Sequence, residues 1–115
     1  MSGTQNVYLS DYLNTRLPLR SNIVTELGFE AADGKPYWMT VARELSKTMP
    51  RIDDRMIKQI NASYGNSGPN GAEAFINRYG QMRGSTVGVF AQALLETGNL
   101  VLVKELCPEI LPPKP

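Results

Sequence analysis

Histidine is absent from this chain of 115 residues, and with it the commonest general base and the commonest metal ligand. The one cysteine, Cys107, excludes an internal disulfide and cannot by itself build a zinc site. No group of carboxylates has metal-ligand spacing, so no cofactor, no metal and no catalytic chemistry are expected of this segment. An excess of one charge is also lacking. Twelve Lys and Arg against 11 Asp and Glu leave a net +1, far from the basic balance of proteins that ride on phosphate backbones, so no nucleic-acid partner is expected. Long apolar runs are missing as well. The most apolar stretch, Val87 to Leu95, is interrupted by Gly88 and Gln92 and falls well short of the roughly 20 residues a membrane helix needs. The first thirty residues carry no basic stretch followed by an apolar run, so neither a secretory signal nor membrane insertion is expected, and the cytoplasm is the default.

What the chain does have is an ordinary globular balance, 42% hydrophobic and 20% charged. The length suits one domain with one core, without the staples that chains below roughly 40 residues need. A compact fold of this size has a radius of gyration of about 13 Å.

Six segments show helical periodicity. In the first, Leu19, Ile23, Val24 and Leu27 share a face, with Pro18 suited to the first turn and Gly28 to the stop. Upstream, Tyr8, Leu9, Tyr12 and Leu13 make a shorter stripe, read as an extra turn of helix laid against the body. The second segment places Trp38, Val41, Ala42, Leu45 and Met49 in one continuous stripe between Pro36 and Pro50. The third turns Met56, Ile57, Ile60 and Tyr64 inward, with Asp53 or Asp54 near its start to accept backbone hydrogen bonds. The fourth carries Ala72, Phe75, Ile76 and Tyr79; the fifth Val87, Phe90, Ala91, Leu94 and Leu95, with Ser85 as its natural N-cap and Gly98 as its stop. The sixth carries Leu100, Val103, Leu106 and Ile110. Short connections between amphipathic helices imply an all-α bundle.

The glycine-rich stretch 65–71 lacks the Gly-Lys-Ser/Thr ending of a phosphate loop and follows no strand, which makes it a connector. Asn61-Ala62-Ser63 matches a glycosylation acceptor but falls inside a helix. Cys107 reads as a small core residue, and Trp38 and Tyr79, in phase with their apolar neighbours, as core aromatics. What is left for function is the polar surface. Asp54, Arg55 and Lys58 in the third segment, and Gln81 and Arg83 before the fifth, have no evident intrachain purpose.

Ser85-Thr86-Val87-Gly88-Val89-Phe90-Ala91-Gln92-Ala93-Leu94-Leu95, with Trp38, Val41-Ala42 and Leu45, resembles the death domain superfamily. The likeness is to the branch of Tube and the interleukin-1-receptor-associated kinases, and it covers roughly residues 8–111. Leu17-Pro18-Leu19-Arg20 and the proline-rich exit at 112–115 look like this group too. Tyr79 departs from it, since relatives often carry a Trp on that helix. The resemblance implies a six-helix antiparallel bundle over residues 1–111, with 112–115 beginning a linker. It implies a non-catalytic adaptor in Toll and interleukin-1 receptor signalling, recruited to the receptor complex near the membrane. Its partners would be other death domains, those of a myeloid-differentiation-type adaptor and a Pelle-type kinase, in a hetero-oligomer or helical assembly. Such a stack uses unlike patches on successive subunits; carried over, these are Arg20, Arg55, Lys58, Gln81 and Arg83, and the corner Gly98, Asn99 and Leu100. Other readings stay open: the N-terminal recruitment domain of a serine/threonine kinase of the same pathway, another death-superfamily module, myeloid-adaptor-like or caspase-recruitment, and a helical ligand- or lipid-binding domain with an internal cavity.

Overall fold

Turn and cap chemistry divide the chain into helices. The computed structural model describes residues 3–32, 34–64 and 68–111. Its α-helices are α1 (Leu9–Asn14), α2 (Leu17–Gly28), α3 (Tyr37–Leu45), α4 (Asp54–Tyr64), α5 (Gly68–Gly80), α6 (Val87–Glu96) and α7 (Leu100–Leu106). Short 3-10 turns cover Gly3–Asn6 and Pro108–Ile110. No strand forms among the described residues, and the radius of gyration is 13.3 Å.

Seven α-helices thus stand among the described residues where a six-helix bundle is expected. The additional one is α1, whose Leu9 and Leu13 are buried in the common core. It cannot run on into α2, because Pro18 has no N–H to give the carbonyl of Asn14 and its ring crowds that oxygen. Arg16 fills the break, its guanidinium 3.9 Å above the Tyr12 ring and bonded to the Tyr12 carbonyl.

Four local expectations are corrected. The start of α5 at Gly68 takes residues 68–71 out of the expected connector, while 65–67 and the tail 112–115 lie outside the described residues. Thr86 caps α6, its hydroxyl accepting from the Val89 N–H; Ser85 is buried and donates to the Met82 carbonyl at 2.7 Å. Tyr64 is 44% exposed, because beside the end of α4 lies an open groove bounded on the other side by Ala74 and Asn77 of α5. Leu100 is 53% exposed and Leu102 takes its place inside. At about 100° per residue, Leu100 lies about 120° around the axis from Leu106, whereas Leu102 lies about 40° from it. At the head of α4 the choice between two aspartates falls to Asp53, whose carboxylate accepts from the Met56 N–H at 3.0 Å.

The core centres on an aromatic run. Trp38 of α3 stacks on Phe75 of α5 with ring centroids 5.6 Å apart, Phe75 meets Tyr79 at 6.3 Å, and Tyr79 meets Phe90 of α6 at 5.2 Å. The buried Tyr79 hydroxyl donates to the Thr86 carbonyl at 3.1 Å, so its polar end is satisfied. Around this run, α2 packs chiefly on α5, and α6 on α7 and α3.

The chain before α1 is laced to α6. Leu9 donates to the Ser85 carbonyl at 2.9 Å and Val87 to the Val7 carbonyl at 2.8 Å. Gly88 makes the close approach possible: a Cβ there would sit 2.9 Å from the Gln5 carbonyl oxygen. Gly88→Val is therefore expected to push the 3-10 turn off α6, at a cost of about 1–3 kcal/mol. Hydrogen exchange at the Leu9 and Val87 amides should quicken while the Phe75 and Leu94 amides keep their protection; unchanged exchange at Leu9 would contradict this packing.

Candidate interaction surface

The residues expected at the surface fall into three separate places. On α4, the inward stripe of Met56, Ile57 and Ile60 leaves Asp54, Arg55 and Lys58 facing out, all exposed. Neither Arg55 nor Lys58 makes an ion pair or side-chain hydrogen bond; the ion pairs among the described residues are Arg20–Glu73 and Lys47–Glu44. Two long cations therefore stand unpaired less than one helical turn apart, with Asp54 beside them.

The second place is the cleft where α1, α2 and α5 meet, lined by Ser10, Asn14, Arg20, Asn77 and Gln81. Arg20 is occupied within the chain. Its guanidinium donates to the Glu73 carboxylate at 2.9 Å and to the Asn77 amide oxygen at 2.9 Å, bracing α2 on α5. Gln81 and Arg83 are exposed on the turn between α5 and α6, which is held by the Met82 N–H bonding the Tyr79 carbonyl.

The third place is the corner between α6 and α7. Gly98, at φ +87°, lets the chain reverse while its N–H bonds the Leu95 carbonyl and that of Asn99 the Leu94 carbonyl. This paired ending satisfies the last carbonyls of α6. Asn99 then caps α7, its side-chain oxygen accepting from the Leu102 N–H at 3.1 Å. Asn99 is thus spent on shaping the corner, and Leu100 is what the corner presents. Beside it lie Val101, 65% exposed, and Phe29, 57% exposed, just beyond the end of α2. The groove between them holds about 430 Å³. Its floor is fixed by Tyr37: the Thr97 hydroxyl donates to the Leu94 carbonyl, so the Tyr37 hydroxyl is the donor to Thr97. Burial raises the Tyr37 hydroxyl above its ordinary value, opposed by the Thr97 and Asn99 side chains.

Phe29 and Val101 escaped the sequence reading. Val101 lies off the inward stripe of α7 and Phe29 just past the stop of α2 at Gly28, so neither belongs to a single-helix stripe.

Burial favours the neutral form of the enclosed ionisable groups. Burial pushes the Cys107 thiol up to about 11, with Glu109 beside it acting in the same direction, and burial also raises Tyr79. No helix among the described residues is long and apolar enough to cross a membrane. The chain matches no protein-family model, no curated protein and no solved structure.

Proposed function

We propose that this chain is a non-catalytic adaptor module of the death-domain type, which joins other death domains into a Toll or interleukin-1 receptor signalling complex in the cytoplasm. The observation that carries the reading is the outward face of α4, where Arg55 and Lys58 stand exposed and unpaired over a filled apolar core. Exposed cations that do nothing for their own fold suit recognition by a partner of opposite charge, giving fast and salt-sensitive association. The resemblance of the Thr86-Val87-Gly88 step and of Trp38 with its apolar neighbours supplies the class of partner. The separation of the charged face of α4 from the α6–α7 corner supports assembly through unlike patches, each weak alone and effective together.

The test is light scattering on a sizing column, with the chain alone and mixed with a myeloid-differentiation-type death domain, at low and high salt. A monomer that forms a stoichiometric complex, and loses it as salt rises, is the expected result. No complex at any salt would overturn the adaptor reading.

A further inference from the structure

The α6–α7 corner carries a second kind of surface, unlike the charged face of α4. Phe29, Leu100 and Val101 are each more than half exposed, and together they wall one groove beside Tyr37. A second, smaller groove shares Phe29, Val101 and Glu26 with the first, so the two form one continuous furrow between the end of α2 and the start of α7. Three large apolar side chains left in water at one place are a mark of an interaction site.

The charge of the furrow is one-sided. Glu26 and Glu30 line the first groove and Glu26 and Glu105 the second, and among the described residues no Lys or Arg lines either. None of the three carboxylates is in an ion pair. We infer that the furrow between α2 and α7 docks a basic amphipathic helix of a partner protein, its apolar face on Phe29, Leu100 and Val101 and its Lys or Arg side chains over Glu26, Glu30 and Glu105.

A helix is the fitting form of occupant. No strand exists among the described residues, so there is no sheet edge to which an extended peptide could add main-chain hydrogen bonds, and the walls are helical ends that accept an apolar stripe. Acidic walls repel an anionic lipid surface. The charged face of α4 of a second copy fits poorly, because Arg55 and Lys58 share it with Asp54 and Ala62 and no large apolar side chain stands beside them to enter the furrow. This inference rests on the reading of the chain as an interaction module, and it names a partner chemistry for a face distinct from α4.

The test is fluorescence anisotropy of the full chain with a labelled designed helix of about 16 residues, roughly four turns, with leucines along one side and lysines along the other. A scrambled peptide of the same composition is the control. Saturable binding of the amphipathic peptide, absent with the scrambled one, is expected. Val101→Lys and Glu30→Lys, both at exposed positions, should each weaken it about tenfold or more, and Arg55→Glu with Lys58→Glu should leave it in place. Equal binding of both peptides, or indifference to Val101→Lys, would overturn the docking site. So would a concentration-dependent dimer of the chain that Val101→Lys abolishes, since that gives the furrow to a second copy. The two readings fail separately. Peptide binding without an adaptor complex would sink the adaptor proposal and keep the furrow; an adaptor complex without peptide binding would do the reverse.

Discussion

Phe75→Ala is expected to remove about 3–5 kcal/mol of stability, the usual cost of emptying a fully buried phenylalanine site. Phe75 is 0% exposed and lies between Trp38 and Tyr79, so its loss breaks two contacts of the aromatic run and uncouples α3 from α5. The site collapses poorly because its neighbours are large buried rings, one of them, Tyr79, held by its hydrogen bond to the Thr86 carbonyl. Domains of this size are stable by about 5–15 kcal/mol, so the variant would stand near the edge of folding. A fall in melting temperature of about 15–25 °C should follow, read by circular dichroism. Phe29→Ala is the companion measurement: with its ring 57% exposed, it should move the transition by no more than a few degrees. A loss under about 1 kcal/mol at Phe75 would contradict the packing of the core.

Arg55→Glu combined with Lys58→Glu is expected to weaken adaptor binding at low salt by tenfold or more, about 1.4 kcal/mol or above. Thermal unfolding should barely move, because both side chains are exposed and unpaired and neither takes part in the Asp53–Met56 cap bond. The wild-type complex should show matching salt sensitivity, fading toward about 1 M, where the screening length shrinks to about 3 Å. Full-strength binding by the double variant would remove these residues from the interface. The same experiment on Arg20 would be ambiguous, since a carboxylate there would face Glu73 and loosen α2 from α5. Charge reversal separates binding from folding on α4 and does not in the cleft at Arg20.

How much of this was legible beforehand divides along physical lines. The stripes of Trp38, Val41 and Leu45, of Phe75 and Tyr79, and of Phe90 and Leu94 all enter the core, because several turns of one phase leave a helix a single face to bury. The exposed face of α4 follows from the same phase. What failed was decided by neighbours. Leu100 has a suitable residue type but lost its place to Leu102 once Asn99 had fixed where α7 begins. Ser85 and Thr86 are equally good caps in sequence, and contact of the preceding segment with residues 85–87 leaves Thr86 at the helix start. Arg20, a contact position only by resemblance, is occupied within the chain because α5 brings Glu73 and Asn77 beside it. The apolar furrow at Phe29 and Val101 belongs to no single helix, so no periodicity could reveal it.

The lacing of residues 7–9 onto residues 85–87 also sets an order of events during synthesis. Leu9 leaves the ribosome long before Ser85, and its backbone partner exists only after roughly 75 further residues have been added, about 4–15 s at about 5–20 residues per second. Until then its side chain, completely enclosed in the finished domain, lacks α6 as a wall. The earlier-made segment is locked in place by the later-made one, and closure of the α1 side of the core waits on translation of α6.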